Sequence, residues 1–352
     1  MAAKQYLLLQ LFEKFIKQTN NGRRVKSDGS RIKKQTVENY DYVLRYLQEY
    51  EEKYETKLYI HSILTTNKRI LKAEAKYWKK FYQQFTDFLY RDKDCFDNYV
   101  GSVVKIIRMF FNFVNRDLLI RTGDFYKKFY ICKEEIPVIS FVPDQLQFLI
   151  CNNEFHDQLP KTLQKAKDIV VFGCTVALRV SDLFTIKFSD IEKVGGQHYL
   201  SVRTVKTETP VRIKLPDYAV AIIEKFRLIA KKRKTIFPPI PKTRFNNQIK
   251  QIAELAGWTT EMGKQRKKRG VSIKSNQSAI AKEYRFCDLV SSHTMRKTAI
   301  TTMLMLGMKE HVVKKISGHA ANSKSFHRYI NFVQSYMDNQ VDEVFNKLVK
   351  VA

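Results

Sequence analysis

The chain has 352 residues, and its 63 lysine and arginine residues exceed its 35 aspartate and glutamate residues by 28. This excess favours a polyanion as partner, nucleic acid before a membrane surface, because each cation near a phosphate releases a condensed counterion. No apolar run approaches the roughly 20 residues that a transmembrane helix needs, and no cleavable signal pattern is present. We therefore expect a cytoplasmic protein with no membrane partner.

The length suits two domains rather than one. The five cysteines are scattered and form no C-x-x-C pair, which favours a reducing compartment and offers no zinc site. The sequence also lacks the phosphate-binding loop G-x-x-x-x-G-K-[ST]. Neither a metal nor another cofactor is expected.

The N-terminal part of the chain predicts a helical domain over residues 1–121. Apolar residues recur there at helical spacing in four stretches, residues 6–16, 37–54, 71–90 and 97–115. The polar faces carry lysines that either contact DNA or are simply solvated, and the sequence does not choose between the two. Apolar residues no longer recur at helical spacing over residues 122–140, which we interpret as an interdomain linker.

The second predicted domain covers residues 141–335 and begins with a helix that Pro143 opens. An apolar helix over residues 168–175 runs into A-L-R-V-S-D-L, which contains Arg179 and Asp182. An arginine at the end of a buried helix is costly unless its guanidinium meets an anion. The partner of Arg179 is either within the fold, Asp182 or a backbone carbonyl, or it is a bound anionic ligand.

Two strands of alternating character follow, over residues 198–207 and 210–215. Lys206 lies at the hairpin between them, a position where a lysine is usually only solvated. After a further amphipathic helix over residues 217–230, residues 261–285 hold eight basic residues against two acidic ones. Such a run is normally solvated, but its position before the next motif favours contact with the phosphate backbone. The residues predicted for this contact are Lys264, Arg266, Lys267, Lys268, Arg269 and Lys274.

The sequence S-S-H-T-M-R places His293 and Arg296 three residues apart. A helix is predicted over residues 294–306, so both side chains share a face at its start, where unpaired backbone N–H groups favour an anion. A phosphate group would fit this position.

A second short helix is predicted over residues 310–316, ending at Gly318. His319 follows this glycine directly, and Tyr329 lies ten residues beyond it. The last predicted helix, at residues 336–352, is amphipathic and packs either on its own domain or on a neighbouring protomer.

The ordered set L-R-x-S-D-L, H-x-x-R, G-H and Tyr resembles the signature of the tyrosine recombinase (phage integrase) family. The resemblance implies a mainly α fold with a small β-sheet: a helical, SAM-like core-binding domain followed by a mixed α+β catalytic domain. The basic segment before V-S-S-H-T-M-R is especially similar to integrases of conjugative or mobilisable elements in the Bacteroides group. It also implies a bacterial location, on the nucleoid when bound to DNA.

The resemblance implies six catalytic residues and a reaction without a metal. Tyr329 would be the nucleophile that forms a 3′-phosphotyrosyl bond, while the other five would hold the phosphate and move protons. The six residues are Arg179, Lys206, His293, Arg296, His319 and Tyr329. Arg212 and Lys214 lie close enough to Lys206 to be alternatives to it. Tyr336 is the less favoured alternative nucleophile.

The implied partners are double-stranded DNA with specific recombination sites and three further copies of the chain, joined through a Holliday junction. An accessory DNA-bending protein is a further possible partner. Two other functions use the same features. A type IB topoisomerase would share the chemistry, and a catalytically silent DNA-binding protein would share the charge. A silent protein is expected to lack at least one of the six residues, and none is missing.

Overall fold

The computed structural model describes residues 4–63, 67–205, 208–230, 232–262, 266–273, 284–320, 322–323 and 325–349. None of the helices in these ranges is long and apolar enough to span a membrane. The chain divides into two compact units. The first contains Met1–Ile136 and Lys264–Ala281, and the second contains Pro137–Gly263 and Lys282–Ala352. The segment predicted as a linker, residues 122–140, is thus divided between the units.

The described residues form fourteen α-helices and nine short strands. In chain order the helices are α1 Leu8–Asn20, α2 Lys34–Lys53, α3 Lys68–Arg91, α4 Asp97–Arg116, α5 Pro143–Cys151, α6 Asn153–Gln158, α7 Lys161–Val176, α8 Val180–Leu183, α9 Asp217–Leu228, α10 Lys242–Leu255, α11 Phe286–Leu289, α12 Ser292–Met305, α13 Glu310–Ile316 and α14 His327–Val349. The strands are β1 Gln5–Leu7, β2 Tyr59–His61, β3 Ile191–Val194, β4 Gln197–Arg203, β5 Pro210–Lys214, β6 Glu261–Met262, β7 Arg266–Lys268, β8 Val271–Ile273 and β9 Tyr284–Arg285.

The first unit is built on α1 to α4, the four helices predicted from apolar periodicity. Their inward faces carry aromatic rings that pack edge to face, such as Trp78 against Phe111 at 4.8 Å between ring centroids. A 3₁₀ helix at Phe125–Lys128 adds Phe125, which stacks on Trp78 at 5.0 Å. Part of the segment predicted as a linker therefore belongs to this core.

The second unit surrounds α7, most of whose residues are buried. Its larger sheet has the order β3-β4-β5 and is antiparallel throughout. Leu200 pairs with Ile213, and both are buried, as the predicted alternation requires. The strand β3 was not predicted, because its four residues are too short a run to show a period.

Helices α7 and α12 approach each other closely at one glycine. A Cβ atom at Gly173 would lie 2.6 Å from Sδ and 3.2 Å from Cβ of Met295. Met295 is buried and is followed by Arg296, so this contact fixes the position of the arginine that the sequence predicts to be catalytic. The helix over residues 310–316 is confirmed at both ends, while the predicted tail helix is the end of the longer α14, which also carries Tyr329.

We expect Gly173→Ala to lower the free energy of unfolding by about 1–3 kcal/mol, the usual cost of overpacking a core. In an uncrowded helix the same change would raise it by about 0.5–1 kcal/mol, because glycine loses more backbone entropy on folding. Urea denaturation would measure the difference. The exposed Lys165→Ala in the same helix is the control. If the effect comes from Met295, Gly173→Ala combined with Met295→Ala will cost less than the sum of the single changes.

Candidate active site

The end of α7 has an unusual backbone that places Arg179. Ala177 caps the helix in the left-handed region, with φ of 54° and ψ of 16°, which a residue with a Cβ atom rarely adopts. Arg179 follows in an extended conformation, and its carbonyl accepts the N–H groups of Asp182 and Leu183. Nη1 of Arg179 is buried and has no hydrogen-bond partner among the described residues.

Arg296 lies in the second turn of α12 and is 2% exposed. Its Nη1 donates a hydrogen bond of 2.9 Å to the carbonyl of Ala177, so it supports the strained turn that precedes Arg179. Burial, and then the nearby Arg179 cation, lowers the pKa of Arg296 to about 10. It therefore remains charged at neutral pH. Two cations of the motif thus share one region of the second unit.

Asp182 links this region to the turn between β4 and β5. Its carboxylate is buried, and Oδ1 accepts the N–H of Val205 at 2.9 Å. Lys206, the next residue, lies outside the described residues, so its predicted role stays a prediction. Of the two alternatives to it, Arg212 pairs with Glu192 at 3.4 Å. The anchoring of Val205 brings the chain before Lys206 to the Arg179 motif.

His319 is oriented by Ser317, a contact that the sequence analysis missed. The hydroxyl of Ser317 donates to the carbonyl of Val313 at 2.6 Å and lies 2.7 Å from Nδ1 of His319. The hydroxyl hydrogen of Ser317 is already bonded to the carbonyl of Val313. The Ser317 oxygen therefore accepts a hydrogen bond from Nδ1–H of the neutral His319 ring. Nη2 of Arg296 lies 3.3 Å from both ring nitrogens, and only Nε2 has a lone pair to accept its hydrogen.

Both histidines of the motif are held neutral. Burial, followed by the charges of Arg296 and Arg179, lowers the pKa of His319 to about 4. Desolvation by the surrounding protein, followed by the charges of Lys297 and Arg296, lowers the pKa of His293 to about 4 as well, although the residue itself is exposed. A neutral imidazole can take a proton, whereas an imidazolium cannot.

Tyr329 lies in the first turn of α14 and is 1% exposed. Its ring packs against Phe326 and faces the ring of His319, with centroids 5.7 and 6.1 Å away. Nη2 of Arg328 donates to its hydroxyl at 3.3 Å. The alternative nucleophile, Tyr336, lies two helical turns further on, about 10 Å along the axis. The structure thus brings Tyr329 together with His319 and Arg296.

The residues predicted to contact the DNA backbone lie elsewhere. Four of them are described, and they lie on the hairpin of β7 and β8 in the first unit, where Arg266, Lys268 and Arg269 pair with carboxylates. Lys264 and Lys274 lie outside the described residues. Their role in DNA binding stays a prediction. The pairing was not visible in the sequence, because the acidic partners are more than 130 residues away along the chain.

Arg179, His293, Arg296, His319 and Tyr329 all contribute to one constellation in the second unit. It offers two guanidiniums, two neutral imidazoles and a phenol, with no ion pair between either guanidinium and a carboxylate in the described part of the chain. Guanidiniums match the oxygens of a phosphate with paired hydrogen bonds. The arrangement suits the binding of a phosphodiester next to a hydroxyl nucleophile.

The comparison with protein families identifies the family of the chain. A profile of the phage integrase family matches residues 157–335, more than half of the chain, and these residues include all six predicted catalytic positions. The chain belongs to the phage integrase family. By family it is a tyrosine recombinase, an enzyme class that breaks and rejoins DNA strands. A comparison with curated proteins gave no match.

Solved structures of tyrosine recombinases share the fold. The XerH site-specific recombinase on a palindromic difH substrate matches with a TM-score of 0.59 at 11% identity, over 95% of this chain and 84% of that one. The lambda integrase tetramer on a Holliday junction has a TM-score of 0.56 at 15% identity, over 91% and 79%. The Tn1549 transposon integrase with transposon right end DNA has 0.57 at 14%, over 93% and 94%. These similarities confirm the predicted fold class.

We expect Ser317→Ala to weaken the preference of His319 for the tautomer that is protonated on Nδ1. The variant removes the acceptor of the Nδ1 hydrogen, a hydrogen bond of about 0.5–1.5 kcal/mol. Nitrogen-15 chemical shifts of labelled histidine would show Nδ1 protonated in the parent protein and a mixture of tautomers in the variant. The exposed Ser325→Ala is the control. An unchanged His319 spectrum in Ser317→Ala would contradict the assignment.

The lowered histidine pKa values predict how stability depends on pH. In the unfolded chain the histidine pKa values are near 6.5, so His293 and His319 bind protons below this pH. In the folded state they bind protons only near pH 4. The free energy of unfolding should therefore fall as the pH decreases from about 7 to 5, by at most about 1.4 kcal/mol per pH unit for the half-buried His319 and by less for the exposed His293, where solvent screens the neighbouring charges. Urea denaturation at several pH values measures this slope. His319→Gln should flatten it, and equal slopes would refute the prediction.

Proposed function

We propose that the protein is a site-specific recombinase that integrates, excises or inverts DNA through a covalent 3′-phosphotyrosyl intermediate. The observation that carries the proposal is the pair Arg179 and Arg296, which are charged, close together and without an ion pair to a carboxylate in the described part of the chain; the buried Asp182 only partly offsets the lowered pKa of Arg296. Such a pair is unfavourable until an anion joins it. The hydroxyl of Tyr329 is the nucleophile that would attack that anion.

In the proposed step, Oη of Tyr329 forms a bond to the phosphorus while the bond from phosphorus to the 5′ oxygen breaks. The tyrosine proton leaves, and the departing oxygen takes up a proton. The two arginines bind the non-bridging oxygens, where negative charge is concentrated in the transition state. The new ester keeps the energy of the phosphodiester, so attack by a 5′ hydroxyl rejoins the strand without ATP.

Two side chains transfer protons in this proposal, and a third binds the phosphate. His293, held neutral, helps to take the proton of Tyr329. Lys206 protonates the leaving 5′ oxygen, a role supported by the bond between Val205 and Asp182 that ties its turn to the site. His319 hydrogen-bonds the phosphate, and because its Nδ1 faces Ser317, the group that reaches the phosphate is Nε2.

The proposed partners are duplex DNA with specific recombination sites and three further copies of the chain, with an accessory DNA-bending protein where the site requires one. One related structure is a tetramer on a Holliday junction. Support in this chain comes from α14, where Met337, Val341 and Phe345 are exposed at intervals of four residues, one apolar stripe for a neighbouring protomer. The proposed setting is a mobile element of the Bacteroides type, in the bacterial cytoplasm.

Covalent trapping tests the chemistry. The protein would be incubated, with EDTA present, with labelled duplexes from the ends of the element that encodes it. The duplexes are nicked so that the cleaved fragment diffuses away. We expect a protein–DNA adduct that Tyr329→Phe abolishes, because the variant lacks the attacking oxygen. Arg296→Lys should reduce adduct formation by at least about a hundredfold, the usual loss for one transition-state donor.

Tyr336→Phe is the matched control, since it removes a hydroxyl from the same helix, and its adduct yield should stay within a few-fold of the parent. An adduct that survives in Tyr329→Phe but not in Tyr336→Phe would show that Tyr336, and not Tyr329, is the nucleophile. Adducts on arbitrary DNA would favour a type IB topoisomerase. Salt-sensitive binding without any adduct would favour a silent DNA-binding protein.

A further inference from the structure

The hairpin of β7 and β8 belongs to the first unit, although the chain on both sides of it runs into the second. Arg266 pairs with Ile273 across the strands, and Arg269 and Gly270 form the turn with φ of 56° and 77°. A hairpin of two three-residue strands is marginally stable by itself. Its conformation therefore depends on its contacts with the rest of the first unit.

The turn of the hairpin is bound by Asp97, which is 3% exposed at the start of α4. Oδ1 accepts the N–H of Arg269 at 2.7 Å, and Oδ2 accepts the N–H of Gly270 at 2.9 Å. The hydroxyl of Tyr90 donates a third hydrogen bond at 2.7 Å. A buried carboxylate is strongly unfavourable without such donors, so the hairpin supplies what Asp97 needs.

The first strand of the hairpin is bound by Glu134, whose side chain is 1% exposed. Oε1 accepts from Nε and Nη2 of Arg266 at 2.8 and 2.7 Å, and Oε2 accepts the N–H of Lys267 at 2.6 Å. The guanidinium also lies over the ring of Phe96, 4.3 Å from its centroid. Asn98 holds the backbone of Glu134 with two hydrogen bonds, so this acceptor is fixed in place.

Two outer ion pairs complete the contact, Lys268 with Asp94 and Arg269 with Asp87. Both acidic partners are exposed, so these pairs add little to stability. They nevertheless occupy cations that would otherwise be open to a phosphate. Strength therefore comes from Asp97 and Glu134, and the outer pairs add charge complementarity.

We propose that residues 266–273 are a strap that stays fastened to the first unit and does not contact DNA, with Asp97 and Glu134 as its socket. If the strap left, both buried carboxylates would lose hydrogen-bond donors. The outer ion pairs already occupy the cations of Lys268 and Arg269. The strap keeps this structural role whatever reaction the protein performs.

Hydrogen exchange on the full-length protein tests the strap. The amides of Lys267, Arg269 and Gly270 donate to buried carboxylates, so they should exchange at least tenfold more slowly than in an unstructured peptide. Asp97→Asn and Glu134→Gln each remove one acceptor at nearly constant shape, and we expect at least a tenfold gain in exchange across residues 266–273. Exchange within α2 should change little, which would show that the unit remains folded.

Glu52→Gln is the control, because this exposed carboxylate in α2 lies outside the socket. Fast exchange of the hairpin in the parent protein, or equal effects of Glu52→Gln and Glu134→Gln, would overturn the strap. A second measurement adds a short duplex of arbitrary sequence. A seated strap keeps its protection in the presence of the duplex. Loss of protection would show that the hairpin leaves its socket for phosphate, and the proposal would fail.

Discussion

The site depends on one electrostatic constraint, the proximity of two arginine guanidiniums that form no ion pair with a carboxylate in the described part of the chain. Arg296 is fixed by the carbonyl of Ala177, whose left-handed backbone also directs the chain toward Arg179. Like charges that are partly buried raise each other's free energy. The packing of α7 on α12 imposes this cost, and a phosphate between the arginines would remove it.

The same two cations determine the protonation of the histidines. They hold His319 neutral, and Ser317 takes the hydrogen on Nδ1, so that Nε2 is left as an acceptor for Arg296. To donate a hydrogen bond to a phosphate, Nε2 must first gain a proton. An anion at this position favours that gain because it reverses the local potential. Binding of a phosphodiester should therefore be accompanied by proton uptake at His319.

The sequence was sufficient where the structure is local. The helix at Glu310–Ile316 was predicted at both ends because apolar spacing and a following glycine define it. The meeting of Arg296, His319 and Tyr329 is not local, and it was expected only from the family resemblance. The partners of the basic segment could not be predicted, since Arg266 and Glu134 are 132 residues apart and nothing local marks the pair. The role of Ser317 was equally hidden, because nothing in the sequence marks which side chain a serine after a helix contacts.

The position of Tyr329 links the chemistry to assembly. A tyrosine on a loop could move alone, but this one is buried in the first turn of a helix of 23 residues. Further along the same helix, Met337, Val341 and Phe345 leave an apolar stripe exposed, which water disfavours and a neighbouring protomer would cover. The stripe and Tyr329 lie on one continuous helix. If Tyr329 is the nucleophile, a protomer that binds this stripe would act on the helix that holds it. Cleavage and assembly would then be coupled through α14 itself.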